Sequence, residues 1–262
     1  LIREGQIMDI LKMRIEEMAG ADFMCDCGHR HNVGIKQILV GQGVLKETAE
    51  TVKMLGKKNI YIIDDKNTHE ICGKQIQELL SGYNCHIKTF VADRDLVPDE
   101  YAIGSALAEM NMDDDLIVAV GSGVINDLTR IVSSRTGIPY IIVATAPSMD
   151  GYASTVSPLI LDGMKITKEA VYPSSIIADI DILKDAPFKM LTAGYGDIIG
   201  KFTSNADWRL SRDINGEYYC DVCADLVNKA VNRCSENGKG FKARKAEAVE
   251  YVTQALILSG VA

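Results

Sequence analysis

The chain reads as an α/β nucleotide-binding domain with a mostly parallel sheet, followed by an all-helical domain. Three observations predict this. Short β-branched runs alternate with amphipathic stretches from Ile35 to Pro147. That alternation implies right-handed crossovers between parallel strands. Strand-like runs vanish after Pro187, where Phe188 to Ala262 reads as helices. The 262 residues, 47% hydrophobic and 24% charged, have ordinary globular composition and can bury a core without staples.

Taken in order, IKQILVG (Ile35–Gly41) reads as a strand, and Gly43 to Leu55 as a helix ended by Gly56. KNIYIID (Lys58–Asp64) is a strand, followed by a helix through Ile71, Ile76 and Leu79 that stops near Gly82. CHIKTFV (Cys85–Val91) is a strand, and Pro98 to Met110 a helix with proline near its first turn. DLIVAVG (Asp115–Gly121) is almost wholly apolar and so a buried strand. Asn126 to Ser134 follows as a helix and IPYIIVATAP (Ile138–Pro147) as another buried strand. Later helices are expected to break at Gly194, Gly196, Gly216 and Gly238–Gly240. The domains are placed at 1–184 and 185–262. The first residues, LIREGQIMDILKMRIEEM, alternate charged and apolar residues in helical fashion and lack a signal-peptide core.

With 28 basic and 36 acidic side chains the net charge is -8, which argues against a general nucleic-acid binder. No apolar stretch is long enough to suggest a membrane span. Seven cysteines without an export signal read as reduced thiols in a cytoplasmic protein.

Three segments could carry chemistry. Gly121-Ser122-Gly123-Val124-Ile125-Asn126-Asp127 leaves a buried strand and opens a helix. Its small residues and free amides suit a phosphate, although Asn126 stands where the third glycine of the dinucleotide fingerprint belongs. A plain tight turn fits equally well. Thr145-Ala146-Pro147-Ser148-Met149-Asp150-Gly151-Tyr152-Ala153-Ser154 lies past the carboxyl end of the next strand, where open α/β sheets bind ligands. The alternative is a polar exit from the strand. Ala193-Gly194-Tyr195-Gly196-Asp197-Ile198-Ile199-Gly200-Lys201 puts a carboxylate among apolar neighbours, where it wants a cation. A metal would serve, and so would Lys201 at i+4. Asp64 or Asp65, at the end of its strand, could bond an adenosine ribose and bias the site towards NAD, but a capped turn over Asp64–Thr68 fits as well.

Two cysteine patterns weigh towards packing rather than metal. Cys25-x-Cys27-x-His29-x-His31 departs from the usual zinc spacing and reads as a thiol-bearing hairpin or loop, with a structural zinc as the lesser alternative. Cys220-x-x-Cys223, with Cys234 nearby, sits on a helical pattern and reads as buried helix thiols.

Together, GSGVIND, TAPSMDGYAS and IIADIDILKDAP…LTAGYGDIIGKFTSNADWRLS resemble the NAD(P)-dependent glycerol-1-phosphate dehydrogenases, especially their bacterial branch. These group with glycerol dehydrogenase and 3-dehydroquinate synthase in the iron-containing alcohol dehydrogenase superfamily. The resemblance implies a cleft between an α/β and a helical domain, and reversible reduction of dihydroxyacetone phosphate to sn-glycerol 1-phosphate. It implies NAD or NADP on Gly121 to Asp127, on Thr145 to Ser148 and on Ser154. It further implies substrate on Asp150, a divalent zinc or nickel ion on Asp197 beside the substrate, and a homodimer or larger assembly.

One departure stands out. The family's other metal ligands are two histidines downstream of the aspartate, whereas His29, His31, His69 and His86 all precede Asp197 here. The expectation is a shortened helical domain that lacks a full catalytic metal site and exposes the apolar face of Ala255, Leu256, Ile257, Leu258 and Val261. Glycerol or another polyol as substrate is the runner-up within the same superfamily. A non-catalytic nucleotide-binding remnant is the reading from a different class.

Overall fold

The computed structural model describes residues 10–91 and 95–262. The helical reading of the first residues falls partly on 1–9, outside the described residues; of the remainder, Ile15–Met18 forms one 3-10 turn. Ten strands are present among the described residues: β1 (Asp22–Met24), β2 (Arg30–Asn32), β3 (Gln37–Gly41), β4 (Asn59–Asp65), β5 (Asn84–Phe90), β6 (Leu116–Gly121), β7 (Tyr140–Ala144), β8 (Val156–Leu161), β9 (Met164–Glu169) and β10 (Ser175–Asp179).

Six of them form one sheet in the order β3-β10-β7-β6-β4-β5 with every pair parallel. The β6, β7 and β10 residues are buried throughout, which explains the unbroken apolar text of β6 and β7; β10 buries Ser175 and Asp179 as well. After β4 the chain adds β5 on one side, then returns to place β6 on the other. The topological switch therefore lies between the carboxyl ends of β4 and β6, the place where open sheets of this kind bind ligands.

Helices α1 (Thr48–Met54), a run over 66–79, α3 (Glu100–Ala108) and α4 (Gly123–Thr136) connect these strands. We label the run over 66–79 α2; a π turn at His69–Gly73 interrupts it. Short α5 (Ile180–Leu183) leads into α6 (Phe188–Asn215), α7 (Asp221–Glu236), α8 (Gly238–Lys242) and α9 (Ala246–Val261).

Two expectations are corrected, and one unassigned stretch is filled. The text between Pro147 and Pro187, to which the sequence reading assigns no element, holds the antiparallel hairpin β8–β9, and β10, which slots between β3 and β7. In β10 only Ile176–Ala178 is apolar, between Ser175 and Asp179, too short an apolar run to announce a strand by itself; the partners on either side supply the hydrogen bonds. Gly194 and Gly196 do not break the helical text, because α6 runs 28 residues without interruption. Nor is the last helix bared: Ala255, Leu256 and Ile257 are buried in a hydrophobic cluster that continues from the sheet into α6, α7 and α9. Leu258 and Val261 pack against it partly buried.

Candidate functional site

The first two motifs become neighbours through sheet register. Gly121 at the end of β6 pairs with Ala144 at the end of β7. The Thr145 amide then donates to the Gly121 carbonyl at 3.2 Å. Helix α4 starts at Gly123, and no side chain caps it at Ser122. Its first-turn amides have no capping side chain, and the helix dipole adds positive character there.

A cavity of about 430 Å³ opens at this spot, with Gly123, Val124 and Asp127 on one side and Pro98, Leu159 and Lys165 on the other. A larger cavity, about 550 Å³, lies between the Ile15–Met18 turn and α7 and α9 and touches none of the three motifs.

Not every residue of the motifs faces a ligand. Ile125 and Asn126 are buried, and Gly121 is packed so closely on Ile125 that a Cβ there would sit 2.6 Å from it. Thr145, Ala146 and Pro147 are buried as well, while Ser122 and Ser148 remain half-exposed. Ser154 is half-buried, and its hydroxyl bonds the amide and carbonyl of Val156 in a local turn. Asp64 has no exposed surface; its Oδ2 lies 2.8 Å from His69 Nδ1, and burial raises its pKa. The capped turn of the alternative reading is present and is capped by Asp65, whose Oδ1 accepts from the amides of Asn67 and Thr68. Asp64 thus sits at the switch point but beneath its surface.

The segment after Pro147 is clamped from below. Arg130, fully buried on α4, donates to Asp127 Oδ1 at 2.8 Å, to the Val156 carbonyl at 3.0 Å and to the Gly151 carbonyl, and its Nε reaches Tyr140 Oη at 3.1 Å. Burial pushes the Asp127 carboxyl up to about 6, and the Arg130 charge opposes that rise.

The third motif joins the second across the α/β and helical parts. The Asp150 amide donates to Asp197 Oδ2 at 2.9 Å. Lys201 Nζ donates to Asp150 Oδ2 at 2.5 Å and lies 3.6 Å from Asp197 Oδ1. The Ser259 hydroxyl donates to Asp150 Oδ2 at 3.1 Å. Burial acts against the Lys201 charge, but the two carboxylates outweigh it and raise its pKa. Residue patterns flagged Lys201 only as an i+4 partner of Asp197, and gave no sign of Ser259, which is 109 residues from Asp150.

Two glycines permit this junction. At Gly194 a Cβ would fall 1.9 Å from the Pro147 carbonyl oxygen, and at Gly260 one would fall 2.8 Å from that of Asp150. Their absent side chains let α6 and α9 lie directly on the loop that carries Asp150.

A separate group forms where the two cysteine patterns meet. Cys25, Cys27, His31 and Cys220 bring their ligand atoms within 4.8 Å of one another, an arrangement able to hold a metal ion. His29 stays exposed beside it, stacked edge-on against Tyr218.

Residues 39–187 match the iron-containing alcohol dehydrogenase family. Among curated relatives, the glycerol-1-phosphate dehydrogenase, NAD(P)+, of Halalkalibacterium halodurans is 34% identical over 91% of this chain and 61% of its own length. One of the same name from Methanosarcina mazei is 33% identical over 87% of this chain and 64% of its own. The chain thus spans about three fifths of the length of these relatives. Among solved structures, glycerol dehydrogenase from Schizosaccharomyces pombe superposes with a TM-score of 0.74 at 20% identity, over 86% of this chain and 59% of that one. With more than half of its residues inside the family match, the chain belongs to the iron-containing alcohol dehydrogenase family.

Proposed function

We propose that the protein is an NAD(P)-dependent oxidoreductase that interconverts dihydroxyacetone phosphate and sn-glycerol 1-phosphate. One observation carries the reading. An uncapped helix N-terminus opens on a cavity beside the switch point, and the loop that follows delivers Asp150 to Asp197 on α6. The curated relatives named above bear the name of that activity.

The residues fit a dinucleotide. The amides at Gly123 and Val124 would take its pyrophosphate, and Ser122 and Ser148 would line its path along the strand ends. The nicotinamide supplies the hydride when bound. Asp150 and Asp197 would accept hydrogen bonds from the hydroxyls of the triose or glycerol, and Lys201 holds both carboxylates in place and offsets their charge. Asp64 would act on the ribose only from beneath, through the strand end it anchors.

The residues do not complete a catalytic metal site. Asp197 is engaged by the Asp150 amide and Lys201, and among the described residues no third His, Cys, Asp or Glu converges there. A catalytic zinc normally takes three protein ligands. The pairing of Lys201 with both carboxylates supports one second reading, in which these residues bind cofactor without turnover.

The test is an assay of the protein with NADH and NADPH, using dihydroxyacetone phosphate and free dihydroxyacetone, with chelator and with added zinc or nickel. Oxidation with the phosphorylated substrate is expected. Oxidation only with the free ketone would move the assignment to a polyol dehydrogenase. Cofactor binding without turnover under every condition would favour the second reading.

A further inference from the structure

We infer that Cys25, Cys27, His31 and Cys220 form a structural zinc site that clasps the β1–β2 hairpin to the junction of α6 and α7. Three of the six distances between the ligand atoms match the edges of a zinc tetrahedron, and all six are within 4.8 Å. Zinc bonds of ~2.3 Å to sulfur and ~2.0 Å to nitrogen set edges of ~3.8 Å between sulfurs and ~3.6 Å between sulfur and nitrogen. Cys25 Sγ lies 3.7 Å from Cys220 Sγ, and His31 Nε2 lies 3.3 Å from Cys27 Sγ and 3.5 Å from Cys220 Sγ. The sulfurs are not bonded to each other, since all seven cysteines are free.

Local structure explains the convergence. The Cys25 amide donates to the His29 carbonyl and the Gly28 amide to the Cys25 carbonyl, each at 3.0 Å. This tight reversal, with Gly28 at φ 86°, folds an alternating segment back so that two thiols and one imidazole meet. Cys220, directly before α7, arrives from 195 residues away. Cys25 and Cys220 are buried, and Cys27 and His31 are half-buried. Cys223 Sγ lies 3.9 Å from His31 Nδ1, where its sulfur can accept a hydrogen bond from the Nδ1–H while Nε2 faces the metal.

Four protein ligands leave no open position, so the site is structural. Three thiolates and an imidazole select zinc over harder divalent ions. A zinc ion with three thiolates and one neutral imidazole leaves a net charge of -1 on the site. It also stands apart from the Asp150 junction. The cluster packs on Trp208, which follows Asp197 on α6 by about 16 Å of helix axis. The benefit is clear from size: a pair of three-residue strands has little stability alone and needs an anchor.

Elemental analysis of the purified protein tests this. About one zinc per chain is expected, and Cys25→Ser or Cys220→Ser should reduce it to less than about a tenth. Asp197→Ala, Cys223→Ser and Cys72→Ser should retain it. Replacement by cobalt in the unmutated protein should give the intense visible bands of tetrahedral thiolate coordination, a readout that survives even if the serine variants fail to fold. Absence of stoichiometric zinc, loss of it with Asp197→Ala, octahedral cobalt spectra, or a Cys25–Cys220 disulfide in peptide mass mapping would each overturn the assignment.

Discussion

Single atoms decide the junction between the loop and the helices. Gly194 and Gly196 are two residues apart on α6, yet only Gly194 meets a neighbour within 4 Å of its virtual Cβ. Gly194→Ala must push α6 off the Pro147 carbonyl and should cost about 1–3 kcal/mol. Gly196→Ala removes unfolded-state entropy at an exposed helix position and should stabilise by about 0.5–1 kcal/mol. Urea denaturation of both variants checks the pair; equal effects would refute the close-approach argument. Asp127 gives a pH signature. Its carboxyl is raised to about 6 by burial, so the folded state holds the proton more firmly than the unfolded one. The stability this contributes is full below the unfolded pKa and is lost as pH rises through about 6. Asp127→Asn should remove this part of the pH dependence, and melting curves from pH 4 to 7 for both proteins measure it. Asp150→Asn weakens the bond from Lys201 without emptying the loop. Turnover should fall by about two orders of magnitude, ~2.7 kcal/mol, with a melting temperature within a few degrees. Early melting with preserved turnover would mark Asp150 as a purely structural residue.

At the scale of elements, the β6–α4 unit carries the cofactor argument. The strand is buried on both faces and ends in Gly121, and the helix begins uncapped two residues later. At Gly123 a Cβ would meet Met149 at an ordinary 3.5 Å, so Gly123→Val can fold while placing methyl groups against the pyrophosphate. Affinity for NADH should fall at least tenfold, about 1.4 kcal/mol, by calorimetry. Unchanged affinity in a folded variant would remove the phosphate from this turn. Periodicity made β6 and α4 visible in the text, because both are long and locally consistent. It did not reveal β10, whose five residues are a strand only because β3 and β7 flank them. It read glycines on α6 as breaks, because text alone does not say that one of them is pressed against a carbonyl.

Across the whole molecule, one hydrophobic cluster extends from the sheet into the helices that follow Pro187. Cofactor bound at the strand ends should therefore stabilise the molecule as a unit. At a hundredfold excess over its Kd, NADH contributes about 2.7 kcal/mol, which corresponds to roughly 5–10 °C in one shared transition. Two transitions, only the earlier or the later of which moves with NADH, would instead support independent units near 1–184 and 185–262. By itself the sequence determined the alternating α/β order, the glycine turn after β6, the aspartates at 150 and 197, and the family. These are legible because each rests on residues adjacent in the chain, where backbone propensity and local spacing act. Tertiary structure alone decided the rest: that Lys201 and Ser259 close on Asp150, that Asp64 turns under the surface to His69, and that Cys220 completes a group begun at Cys25. Those contacts span from 5 to 195 residues of chain. The packing of helix on loop and hairpin on helix sets them, and no local periodicity encodes that.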